Sequence, residues 1–219
     1  MIKPKKLEIG DTIGIVAPAS PADKDEIEKA YKKLTKMGFK VIVGKNCCDK
    51  NGYLAGEDEV RAENLISMFS NKDVDGIICL RGGYGTPRIL DLLDYELIKN
   101  NPKVFIGYSD ITALHIAFNQ FSDLVTFHGP MAASDIAKDF SNFSRDSLLN
   151  SVSNEEFNPL IKNATEEIVT INDGIAEGQI IGGNLTLITG TTGTDYEIDT
   201  KGNILFIEEI EKVPNKIDG

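Results

Sequence analysis

Ser109 stands where a short apolar run, Val104 to Ile106, gives way to a segment, Asp110 to Phe118, that reads as the start of a helix. A parallel strand turning sharply into a helix through Gly107 lifts the Ser109 hydroxyl above the carboxyl edge of a sheet. There the helix N-terminus offers backbone N–H groups and partial positive charge to a developing oxyanion, which is the setting of a nucleophile. A serine at that point is also a good helix N-cap, and Ile111 stands where the usual elbow motif has its last glycine. The spacing leaves both roles open.

A second candidate, Leu80-Arg81-Gly82-Gly83-Tyr84-Gly85-Thr86-Pro87, follows another apolar run and falls at the same sheet edge. Consecutive glycines let backbone N–H groups converge on an anion or a carbonyl oxygen. The Gly-Gly-x-Gly order is not the dinucleotide fingerprint, and no acid closing a second strand is placed to hold a ribose. A structural turn and an oxyanion or substrate loop remain as readings. Asn184, after Gly182-Gly183, is a cap for the short helix expected from Leu185 and also a candidate substrate contact. Glu208 and Glu209 end an apolar run; successive strand residues point to opposite faces, so one site can use only one of them, and a solvated strand end is the alternative. His115, six residues beyond Ser109, points away from the bend and reads as a core or interface histidine. His128 ends the next strand and is the remaining candidate for proton transfer.

The elements that must position these groups alternate. Strands are expected at Thr12 to Pro18, Phe39 to Val43, Gly76 to Leu80, Val104 to Ile106 and Leu124 to Phe127. Between them lie a helix opened by Ser20-Pro21 and closed by Gly38, one opened by Glu57-Asp58-Glu59, and a helical stretch from Pro87 to about Lys99. Alternation of this kind predicts a parallel sheet in an α/β domain over residues 1–138. Residues 139–165, rich in Ser, Asn and Asp, read as a linker. Residues 166–219, with strand-like runs at Glu167 to Ile171, Ala176 to Ile181 and Ile204 to Ile207, read as part of a smaller β-rich unit.

The formal net charge of −11 over 219 residues argues against a nucleic-acid partner, which requires a concentrated basic face. Three cysteines, with Cys47 and Cys48 adjacent, fit neither a disulfide framework nor a zinc site, and a reducing cytoplasm suits them. No signal-peptide core or membrane-length apolar run is visible, so a cytoplasmic protein without membrane attachment is expected.

Taken together, Gly10 to Ser20, Arg81 to Gly85, Gly107 to Thr112, Phe127 to Met131, Gly182 to Leu185 and Leu205 to Glu209 resemble, in order, the L,D-carboxypeptidase family of serine peptidases, which includes the microcin C immunity proteins. The resemblance implies a glutamine-amidotransferase-like α/β domain joined to a β-rich domain with the active site between them. It implies a Ser-Glu-His triad in which Ser109 is the nucleophile and Glu208 the carboxylate, with backbone N–H groups of Gly83 and Asp110 at the oxyanion. Arg81, Tyr84 and Asn184 are the further substrate-binding candidates, and no metal or cofactor is called for. The substrate implied is a muropeptide ending in D-alanine, or a peptidyl or aminoacyl nucleotide; a muropeptide-binding module without catalysis is a third reading. In the family the triad histidine comes late in the second domain, and neither His115 nor His128 matches it. The chain is therefore expected to be a truncated, inactive form whose incomplete β-rich unit leaves edges that association into a homodimer would cover.

Overall fold

The structure is a computed structural model and describes residues 1–153 and 167–210. Its centre is a five-stranded, all-parallel sheet of β1 (Thr12–Val16), β2 (Lys40–Val43), β3 (Gly76–Cys79), β4 (Val104–Gly107) and β5 (Phe127–His128), in the order β2-β1-β3-β4-β5. Helices cover both faces. Ile13, Ile15, Ile78, Val104 and Ile106 pack toward α1 (Lys24–Lys36), while Val16, Ile77, Cys79 and Phe105 pack toward α2 (Asp58–Ser70), α3 (Tyr95–Asn100) and α4 (Thr112–Ser122). Alternate residues thus enter opposite cores, which is why these strands read as unbroken apolar runs rather than alternating ones. The strand order reverses between β1 and β3, and in open parallel sheets ligands bind in the crevice at such a reversal, above the carboxyl ends.

Several local expectations are corrected. Helix α1 begins after Asp23, whose N–H donates to Glu26 Oε2 at 3.3 Å, and not at Ser20, which instead faces the glycine-rich loop. The stretch from Pro87 breaks in two, a 3₁₀ turn over Thr86–Leu92 and then α3, because Asp94 caps a new start by accepting from Leu97 N at 2.9 Å. The fifth strand is shorter and later than Leu124 to Phe127, since Leu124 is drawn into a bridge with Ile2. Within the expected linker, Asn142–Ser153 forms helix α5, which buries Leu148 and Val152 against the α1 side of the sheet; an i, i+4 apolar pair outweighs the Ser and Asn content around it. Residues 154–165 of that linker lie outside the described residues.

The second part of the chain contributes a two-stranded parallel ribbon, β6 (Ile180–Asn184) and β7 (Ile204–Glu208), with α6 (Leu185–Gly190) after β6. The strand expected over Ala176 to Ile181 thus starts four residues later, at Ile180. Glu167 to Ile171 forms no strand, and Ile168, Val169 and Ile171 are exposed, without the pairing that would fix an extended backbone. Among the described residues no helix is long and apolar enough to cross a membrane.

Candidate active site

Three loops meet above the carboxyl edge of the sheet. At the end of β4 the chain reverses through Ser109, whose φ of 61° lies in the left-handed region that a side chain rarely adopts, and continues through a 3₁₀ turn into α4. Such strain persists only where the surroundings impose it. The half-buried Ser109 hydroxyl has no hydrogen-bond partner among the described residues, so it does not act as the helix cap.

The loop after β3 presses directly on this bend. A Cβ placed on Gly82 would lie 3.2 Å from both Ser109 Cβ and Oγ and 3.6 Å from Asp110 N. Gly83, at φ +148°, has Ser20 Oγ 2.2 Å from where its own Cβ would be, and Ser20 N donates to Gly82 O at 3.4 Å. Only glycines allow the backbone this close to two serines. Arg81 forms an ion pair with Glu26 at 3.3 Å, and Tyr84 is 61% exposed at the rim.

Sequence reasoning took Asp110 for its backbone N–H alone and did not single out Arg61. Both side chains are buried in the wall of this site. Asp110 Oδ2 accepts from the N–H groups of Gly85 and Thr86, both at 3.0 Å, and burial pushes its carboxyl up from the ordinary range against the pull of those donors. The only advance signal for Arg61 was an arginine on a helix whose neighbours at i+1 and i+4 are apolar.

The β6–β7 ribbon docks on the start of α4. Asn184 N donates to Thr112 Oγ1 at 2.9 Å, and Gly183 approaches the same threonine too closely to carry a side chain. The register sets Asn184 beside Glu208. Glu208 is the last strand residue and Glu209 lies just past it, and the two acids are held differently. Glu209 accepts from Thr186 N at 3.1 Å and Thr186 Oγ1 at 2.5 Å, which holds its pKa down at about 2 and ties it to the first turn of α6. Glu208 has a buried Oε1 with no partner among the described residues, and burial raises its pKa against the pull of a hydrogen bond from Asn184. It is near enough to Tyr108, next to Ser109, to help push that phenol up to about 12, behind the larger effects of burial and Asp135. Asn184 is itself buried, its Oδ1 accepting from Leu187 N and its Nδ2 donating to Glu209, so it braces this corner rather than reaching outward.

The histidines separate cleanly. His115 Nε2 donates to Gly107 O at 2.9 Å and Nδ1 accepts from Thr126 Oγ1 at 2.8 Å, a tautomer fixed by the carbonyl. It ties α4 to the end of β4, and burial lowers its pKa to about 4. Because the folded value lies below the ordinary 6.5, the unfolded chain takes up the proton first. The stability His115 supports is complete above pH 6.5 and is lost as pH falls toward 4, by about 3 kcal/mol. Urea titrations at pH 7.5 and 4.5 should show the stability gap between wild type and His115→Gln narrowing by about 2.5 kcal/mol on acidification; a constant gap would mean the ring titrates normally. His128 is set beside Gly107 by the β4–β5 register, but its ring packs against Tyr108 and, edge-on, Phe206, on the side of a cavity of about 720 Å³ that Ser109 does not line.

A doubly covered parallel sheet with an unbonded serine held at positive φ beneath a glycine-rich loop defines an α/β protein with a strand-to-helix elbow. The chain matches the LD-carboxypeptidase N-terminal domain over residues 13–129 and the LD-carboxypeptidase C-terminal domain over residues 177–219. It is 44% identical over 220 residues to the probable murein peptide carboxypeptidase of Bacillus subtilis (strain 168), covering 99% of this chain and 67% of that protein. The muramoyltetrapeptide carboxypeptidase from Oxalobacter formigenes superposes with a TM-score of 0.83 at 30% identity, over 94% of this chain and 68% of the other. Microcin C7 self immunity protein MccF in complex with aspartyl sulfamoyl adenosine gives 0.88 at 27% identity, over 100% and 74%. The chain belongs to the LD-carboxypeptidase family.

Proposed function

We propose that the protein is a serine carboxypeptidase that hydrolyses the amide to a terminal D-alanine in cytoplasmic muropeptides, within cell-wall recycling. The observation that carries this is Ser109, strained, unbonded and pressed by Gly82. Its Oγ attacks the carbonyl carbon; the Gly83 and Asp110 N–H groups hold the oxyanion; D-alanine leaves as the protonated amine, and water releases the acyl group. Arg81 and Tyr84 contact the peptide, and no metal takes part. Glu208 orients the imidazole that shuttles the proton. His115 is bonded at both nitrogens and cannot be that imidazole, and His128 does not match it. The 219-residue chain alone therefore binds muropeptide with little turnover.

In this reading residues 1–138 form one unit and residues 166–219 part of a second, with the site between them, and α5, inside the expected linker, belongs with the first. The apolar β7 residues Leu205, Phe206 and Ile207, all exposed, are covered in a homodimer, which sedimentation velocity would register as a doubled mass.

A second reading, cleavage of a peptidyl or aminoacyl nucleotide, draws on the aspartyl sulfamoyl adenosine held by the MccF structure and on the exposed Tyr84 ring as a base platform. The test joins this chain to the C-terminal third of the Bacillus subtilis relative and supplies murein tetrapeptide or aspartyl sulfamoyl adenosine. Mass spectrometry is expected to show D-alanine released by the joined protein and little by the 219-residue chain alone. Aspartate release without D-alanine would favour the nucleotide reading. Saturable binding of tetrapeptide with no turnover in either form would favour a binding module.

A further inference from the structure

The loop facing Ser109 is gripped from two sides by buried charges that the chemistry above leaves unused. On one side is Arg61, on α2, whose side chain has no solvent exposure. Its Nη1 donates to Pro18 O at 2.5 Å and Gly85 O at 3.0 Å, joining the turn after β1 to the loop after β3 across the reversal in strand order. Its Nη2 pairs with Asp58, which Arg88 holds in turn through three hydrogen bonds of 2.8 to 3.0 Å.

On the other side is Asp110. Its Oδ2 takes the N–H of the same Gly85 and of Thr86, and Thr86 Oγ1 donates back to Asp110 O at 2.5 Å. Gly85 is therefore held through its carbonyl by a cation and through its N–H by an anion. There is no slack around it, since a Cβ there would lie 2.4 Å from Leu54 Cδ2 and 3.2 Å from Arg61 Nη1. Burying a guanidinium and a carboxylate is costly, and apolar residues of similar size fill such space as well or better. Here the charges bond the backbone on both sides of one loop residue, two positions after Gly83, and one of them belongs to the residue that follows Ser109.

We propose that Arg61 and the Asp110 carboxylate are positioning residues, fixing the glycine-rich loop so that the Gly83 N–H stays aimed at the carbonyl oxygen Ser109 attacks. This rests on the reading of Ser109 as nucleophile. Neither side chain touches substrate. Asp110 thus acts twice, through its N–H at the oxyanion and through its side chain on the opposing loop.

The test uses the 219-residue chain with two variants. Arg61→Lys keeps the charge but is shorter and has one nitrogen, so it cannot hold Pro18 O and Gly85 O while also pairing Asp58, and Asp110→Asn keeps the shape but removes the anion. Two readouts are needed. Hydrogen exchange at Gly85 and Thr86 should accelerate about tenfold or more in each variant, with the amides of α4 unchanged. A muropeptide analogue carrying a boronic acid in place of the scissile carbonyl accepts a lone pair from Ser109 Oγ, the hydroxyl proton passing to solvent, and leaves a tetrahedral anion in the oxyanion position. Its affinity should fall about tenfold in each variant, while that of the unmodified tetrapeptide stays within about twofold.

A role in folding alone would shift both ligands together and leave their ratio intact, which would overturn the proposal, as would unchanged exchange in the loop. If wild type and Ser109→Ala bind the boronate equally, the nucleophile reading fails, while the exchange data still report whether the clamp exists. Should Arg61→Lys not fold, the nearly isosteric Asp110→Asn decides on the same terms.

Discussion

Ser109→Ala is expected to lower D-alanine release from a murein tetrapeptide by about 10⁴-fold or more, measured in the protein joined to the C-terminal third of its Bacillus subtilis relative. Tetrapeptide affinity should stay within about twofold, because the lost hydroxyl bonds to nothing among the described residues and its removal leaves no buried group unpaired. The size of the effect follows from covalent chemistry: without an oxygen to form the acyl intermediate, only the glycine-rich loop and substrate positioning are left to act. Stability should change little or rise slightly, since alanine in the left-handed region is no more strained than serine there. Equal rates for the two proteins would show that Ser109 is not the nucleophile and would return it to a structural part in the turn. A fall in affinity matching the fall in rate would assign it to substrate binding instead.

What was legible in the chain follows from how each residue is used. Strands β1, β3 and β4 are covered on both faces, so each announces itself as a continuous apolar run. The elbow was legible because a glycine, a serine and a helix start leave few other geometries. Arg61 was hidden for the opposite reason: a charged residue on an amphipathic helix reads as solvated unless its partners are known, and Pro18 and Gly85, 43 and 24 residues away, are backbone carbonyls with no side-chain signature. Ser20 misled because Ser-Pro is a good helix opening, whereas the fold brings it against Gly83 and lets Asp23 start the helix. Composition misled at Asn142–Ser153, where two buried apolar residues fix a helix whose other positions are mostly polar. Alternation misled at Glu167 to Ile171, because a strand needs a partner as well as a pattern. Alternation alone could not tell how Glu208 and Glu209 differ, because Glu209 is held by Thr186 and both acids meet Asn184, residues that only the ribbon and α6 bring to them.

Gly182→Ala tests that ribbon, on which the placement of Glu208 depends. Gly182 lies at φ +135°, and a Cβ there would fall 1.8 Å from Phe206 O, its register partner on β7. A flexible side chain could turn aside, but a paired backbone carbonyl cannot, so the strands must part. The positive φ adds strain of about 1–3 kcal/mol, and a two-stranded ribbon has little stability of its own to absorb it. The expected result is local: amides of Ile204–Glu208 lose their protection from hydrogen exchange, while the five-stranded sheet keeps its own, because its cores are built from other residues. Tyr108 should titrate below its present value of about 12 as the Glu208 carboxylate moves off, although burial and Asp135 still hold it high. Gly174→Ala, with nothing within 4 Å of its Cβ position, serves as the control and should leave all three readouts unchanged. If Gly182→Ala kept full protection of β7, the approach of the two strands at that carbonyl would be looser than the register requires, and the placement of Glu208 would not depend on Gly182.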